Sequence, residues 1–224
     1  MIRLKGVQRH FHIGDQVVRA LDGIDLRVSR GEFIAVMGRS GSGKTTLLNM
    51  LGCMDQPDQG EYWLDGVDVA SLDDDALSAV RNHKLGFVFQ SFHLLSRMTT
   101  LENVMLPLQY DHANPHPDAE ERARELLERV DLGDRLQHKP NELSGGQRQR
   151  VAVARALINQ PAVILADEPT GNLDSHTSAA IMELLTSLHA GGQTIVMVTH
   201  EDDIAANASR VIEMLDGKII GAGN

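Results

Sequence analysis

The chain has 224 residues, 42% of them hydrophobic and 23% charged, a composition that suits one folded α/β domain. With 21 Lys and Arg against 31 Asp and Glu the net charge is −10, which argues against nucleic acid as a partner, because phosphate backbones recruit clustered cations. No stretch approaches the roughly 18 apolar residues of a membrane helix, residues 1–6 carry no apolar signal core, and the lone Cys53 has no partner for an internal disulfide. The expectation is a cytoplasmic protein that meets any membrane through a partner.

In chain order, Phe11 and Ile13 alternate in a β-rich N-terminal run. Asp22-Gly23, Asp65-Gly66 and Asp216-Gly217 each predict a hairpin, and together they predict an antiparallel layer. Residues 33–37, 85–89, 162–166 and 194–199 predict four short strands, apolar on both faces, as a buried, mainly parallel sheet requires. In such sheets the ligand crevice lies at the C-terminal strand ends. Residues 118–130, led in by Pro115 and Pro117, predict an amphipathic helix with Ala119, Ala123, Leu126, Leu127 and Val130 on one face. Glu120 with Arg124, and Glu125 with Arg129, would pair at i,i+4. This helix and its neighbours predict a helical lobe, roughly residues 91–160, inserted between the second and third parallel strands of a single domain spanning 1–224.

Gly38-Arg-Ser-Gly-Ser-Gly-Lys-Thr45 fits G-x-x-x-x-G-K-[ST] between a strand and a helical run over 46–51. A Gly-rich turn capping a helix is the bland alternative, but the flanks are those a phosphate loop needs. Gly38, Arg39, Ser40, Gly41, Ser42 and Gly43 would turn backbone N–H groups onto a β-phosphate, helped by the positive helix end at Thr46. Lys44 would reach the β- and γ-phosphates and the Thr45 hydroxyl would ligate Mg²⁺. The strand over 162–166 ends in Asp167-Glu168. Strand alternation predicts that these two carboxylates point apart, one toward Mg²⁺ and one toward an attacking water.

Leu143-Ser-Gly-Gly-Gln147 is the third motif. Ser144 and Gln147 form a capping box for a helix over 148–158. Gly145 and Gly146 are poor helix formers, about 1 kcal/mol worse than Ala each. They make sense where backbone approaches a ligand closely, at a second anion-binding helix start.

Together these motifs resemble the ATP-binding cassette family, whose signature is LSGGQ, from residue 1 to about 220. The resemblance implies a P-loop NTPase core that hydrolyses Mg-ATP as a homodimer, with Ser144 and Gly146 touching nucleotide held by the partner subunit. It implies that Gln90 contacts Mg²⁺ and senses a membrane partner. It further implies that Glu168 is the general base and His200 the switch histidine. Gly171-Asn-Leu-Asp174 would be the D-loop at the dimer interface, although Asp174 also reads as a plain helix N-cap. Phe11 lies where the family places an aromatic that stacks on adenine; a core-facing strand residue is the other reading. The text between 72 and 110 resembles the lipoprotein-releasing and macrolide-efflux subgroup. That implies a separate transmembrane permease and a place on the cytoplasmic face of the inner membrane. A cell-division type cassette, coupled to a membrane protein without transport, would share nearly all of these motifs.

Overall fold

The computed structural model describes residues 1–111 and 115–223, with the backbone alone for Ala222 and Gly223. A long hairpin of β1 (Ile2–Ile13) and β2 (Gln16–Val28) is joined by β4 (Gln59–Leu64) and β5 (Val67–Asp68) in an antiparallel sheet of order β2-β1-β4-β5. The second sheet comprises β3 (Phe33–Gly38), β6 (Leu85–Phe89), β7 (Val163–Asp167), β8 (Thr194–Val198), β9 (Arg210–Leu215) and β10 (Lys218–Gly223), in the order β10-β9-β3-β8-β7-β6. All neighbours in it are parallel except β10, which turns back on β9. The four expected parallel strands are therefore present, and β9 is a fifth.

Two of the three Asp-Gly pairs turn hairpins. Asp65 (φ 49°) with Gly66 (φ 84°), and Asp216 (φ 47°) with Gly217 (φ 76°), supply the two left-handed residues that a tight primed turn demands. Asp22-Gly23 does not. It lies inside β2, where Val7 pairs with Ile24 but Gln8 pairs with Asp22, so Gly23 (φ 80°) is the extra residue of a bulge. The same left-handed preference serves both geometries, and only strand pairing tells them apart.

One face of the parallel sheet is covered by α1 (Lys44–Leu51) and the antiparallel layer, through Ile34, Val36, Leu47, Leu51, Tyr62 and Leu64. Cys53 belongs to this cluster, and burial pushes its thiol up to about 11, so it behaves as a small apolar residue. The opposite face is covered by α5 (Gly145–Leu157) and α6 (Ser175–Ala190), through Val153, Ala156, Ile181 and Leu185. α2 (Asp74–Lys84), capped by Asp73, leads into β6.

Between β6 and β7 the chain runs through α3 (Thr100–Met105) and α4 (Ala119–Arg129) into α5. Leu101, Val104, Ala123, Leu127, Val151 and Ala154 form their shared core. α5 is thus apolar on two sides, with Val153 and Ala156 to the sheet and Val151 and Ala154 to the helices. Each of the two valines contributes about 1.5–3 kcal/mol on burial, and each alanine less. On α4 the Glu120–Arg124 pair closes at 2.6 Å, whereas Glu125 and Arg129 form no ion pair among the described residues. A short α7 (Asp202–Ala205) follows β8.

Candidate nucleotide site

The loop after β3 is shaped by its glycines. A Cβ at Gly38 (φ 153°) would overlap the Met214 carbonyl oxygen, and one at Gly43 (φ 102°) the Ala20 carbonyl oxygen. The β9–β10 turn buttresses the same loop: Gly217 N–H donates to Ser42 O at 3.0 Å, and Asp22 N–H to Gly217 O at 2.9 Å. α1 begins with Gly43 as its N-cap, with no side-chain cap and no acid in its first turn, so its leading N–H groups remain open to an anion. Ser42 is buried, yet its Oγ has no hydrogen-bond partner among the described residues. Lys44 Nζ meanwhile donates to the carbonyls of Gly38 (2.7 Å) and Arg39 (2.9 Å), which holds its charge over the loop. Open N–H groups, an orphaned hydroxyl and a poised cation all fit a bound phosphate.

A cavity of about 1420 Å³ opens over this loop. Gly38, Arg39, Ser40, Gly41, Gly43, Lys44, Thr45 and Thr46 line one side, and Asp167, Glu168 and His200 another. Asp167 and Glu168 thus line the same cavity, where both of their expected roles, at Mg²⁺ and at the attacking water, would be served. β7 ends at Asp167, and Glu168 turns left-handed (φ 43°), so the period of two stops there. A non-glycine in that region costs on the order of 1–3 kcal/mol and persists where its surroundings over-determine it. Here Glu168 N–H donates to Val198 O (2.9 Å) and Gly171 N–H donates to Glu168 O (3.0 Å). His200 Nδ1 lies 2.8 Å from Glu168 Oε1. Burial, reinforced by the charge of Glu168 and opposed by that of Lys44, pushes the Asp167 carboxyl above its ordinary range. Thr45 and Asp167 offer hard oxygen donors in one cavity, a set that suits Mg²⁺.

The remaining candidates lie elsewhere. Ser144 caps α5 as expected: Gln147 N–H donates to its Oγ (3.2 Å) and Ser144 N–H to Gln147 Oε1 (2.9 Å). Gly145 and Gly146 have a reason within the chain, because a Cβ on Gly145 would press on Leu173 and one on Gly146 would overlap Thr177. None of residues 144–147 lines the cavity. Asp174 caps α6 by accepting from Thr177 N–H at 3.0 Å. Gln90 does not line the cavity either. Its side chain lies against Gly171, and its carbonyl accepts from Asn172 Nδ2 at 3.0 Å. Phe11 is 38% exposed and Ile13 66%, which removes the core-facing reading of both. Phe11 pairs with Val18, a cavity-lining residue, and carries the Arg9 guanidinium 5.0 Å from its ring centre. Val18 and Arg19 line the cavity but were not legible as site residues, because the pairing of β2 with β1 that places them there is encoded by no local motif.

Cavities built this way, on a strand–loop–helix cradle with acids at the end of a neighbouring parallel strand, define the P-loop nucleotide-binding proteins. Within that class the match narrows to one family, since the model described as ABC transporter covers residues 21–171, and the chain belongs to that family. The macrolide export ATP-binding/permease protein MacB of Chlorobaculum tepidum is 52% identical over 98% of this chain, which spans only 34% of that protein. The ABC transporter ATP-binding protein YknY of Bacillus subtilis is 50% identical over 100% of this chain and 97% of its own length. Among solved structures, the ATP-binding cassette MJ0796, as a dimer in a post-hydrolysis state bound to ADP and Pi, aligns with a TM-score of 0.91 at 44% identity. That alignment covers 100% of this chain and 98% of the other. Among the described residues no helix is long and apolar enough to cross a membrane.

Proposed function

We propose that this chain is the ATP-hydrolysing subunit of an ABC transporter, driving a separate membrane permease of the macrolide-export or lipoprotein-release type from the cytoplasmic face. The observation that carries this reading is a division of labour. Lys44, Asp167, Glu168 and His200 share one cavity, while the capped helix start at 144–147 lies outside it, where it would serve as a second anion-binding surface. Two copies arranged head to tail would set each helix start against the other's nucleotide, and MJ0796 is described as a dimeric cassette. The MacB relatives, longer proteins named as both ATP-binding and permease, support a membrane partner for this shorter chain.

In this reading the loop N–H groups and Lys44 hold the ATP phosphates, and the Thr45 hydroxyl and Asp167 hold Mg²⁺. When bound, Mg²⁺ supplies charge neutralisation to the phosphate oxygens. Glu168 accepts the proton of the attacking water, and His200 orients Glu168 through their 2.8 Å contact. Residues 91–160, with Gln90 at their edge, form the lobe that would report nucleotide state to the permease. Phe11, beside Val18, would stack on adenine. Glu168→Gln is expected to retain ATP binding and to lower turnover by about 10²–10⁴. Light scattering of that variant should show a monomer without nucleotide and a dimer with saturating Mg-ATP. A monomer under both conditions would overturn the composite-site reading.

A further inference from the structure

Gln149 lies just beyond the capping box of α5 and has none of its surface exposed. Its Nε2 donates a 2.6 Å hydrogen bond to the carbonyl oxygen of Pro169, while its Oε1 accepts from no described residue. A buried amide with its acceptor unmet is a poor choice for packing, because an apolar side chain of the same length would fill the space without the orphan. What the amide supplies is its donor. That donor lands on the residue directly after Glu168. Pro169 is itself buried and has no N–H, so its carbonyl is the only backbone group by which it can be held. The left-handed turn at Glu168 is thus pinned from three sides: by Val198 O on β8, by Gly171 N–H in the following loop, and by Gln149 on α5.

We propose that Gln149 is a positioning residue for ATP hydrolysis, which holds the Pro169 carbonyl so that Glu168 keeps its aim into the nucleotide cavity. This rests on the reading of Glu168 as the general base. The same helix opens at Ser144, so a tilt of α5 moves the Gln149 amide and the Glu168 turn with it. A signature engaged on one nucleotide would thereby bear on the carboxylate that serves the other.

Two variants of the full chain test this. Gln149→Met keeps the length and removes the donor. Its kcat should fall about ten- to a hundredfold, since small misplacements of a catalytic group cost that much. Its KM for ATP should stay within about twofold, and it should still form the nucleotide-driven dimer when combined with Glu168→Gln. Gln149→Glu restores a donor only when protonated. Burial raises a carboxyl pKa, so its turnover relative to wild type should recover as pH falls from about 8 to about 6, while the ratio for Gln149→Met stays flat. A Gln149→Met kcat within twofold of wild type, with Glu168→Gln inactive, would overturn the role of Gln149 and leave the general base standing. Turnover retained in Glu168→Gln would instead remove the general-base reading itself. Parallel losses of Tm, KM and kcat in Gln149→Met, without pH-dependent recovery in Gln149→Glu, would reduce Gln149 to a packing residue.

Discussion

At the scale of single residues, Asp167 and Asp65 respond to pH with opposite signs. Asp167 is raised, chiefly by burial, so its ionised form is disfavoured in the fold and the penalty is fully present at neutral pH. That penalty disappears below the unfolded value near 4. Asp167→Asn should therefore raise the nucleotide-free Tm by a few degrees at pH 7, with no gain near pH 3, while lowering Mg-ATP turnover at least about tenfold. Calorimetry at both pH values, with an ATPase assay, checks this. Asp65 is lowered, first by the hydrogen bond from Lys84 at 2.9 Å and also by Arg30 at 2.6 Å. Its contribution is present above the unfolded value and is lost as pH falls through the folded one. Asp65→Asn should lower the urea midpoint at pH 7, and its difference from wild type should shrink progressively as pH falls below the unfolded value near 4. Lys44, Asp167 and Glu168 were legible because a loop motif or a strand end announces them. The left-handed turn at Glu168 was not, because it depends on bonds to Val198 and Gly171.

At the scale of elements, the signature helix separates capping from recognition. Gly146 is a poor site for testing recognition, because any side chain there strikes Thr177 of α6. Ser144→Asp is better. Asp caps helices as well as Ser does, so α5 should keep its start and Tm should change by only a few degrees. In the proposed head-to-tail pair the new negative charge would face the partner's nucleotide and should abolish the ATP-driven dimer, which size-exclusion chromatography in the Glu168→Gln background would detect. Strands β3, β6, β7 and β8 were legible from short apolar runs, and α4 from its period. The bulge at Gly23 was not, since Asp-Gly encodes a left-handed residue and leaves the pairing partner unstated. The two-sided burial of α5 escaped for a related reason: an apolar helix does not say which neighbour takes which face.

At the scale of the whole molecule, a chain of net charge −10 should meet its copy only when nucleotide bridges the two. With Mg-ATP the Tm of Glu168→Gln should rise with protein concentration, and without nucleotide it should not, because only association makes Tm depend on concentration. Differential scanning fluorimetry over a hundredfold dilution series reads this directly. One feature of the sheet reaches further, to the making of the protein. β3, which carries the phosphate loop, lies between β8 and β9, so both its flanks come from residues 194–215. The loop also rests on Met214 and is tied to Gly217. On the ribosome the motif near residue 40 therefore emerges early and waits for its neighbours, as do all strands whose pairing is distant in sequence. A nascent chain arrested before β8 should not retain ATP, and one released after β10 should. Nucleotide binding thus becomes possible only once synthesis of the parallel sheet is complete.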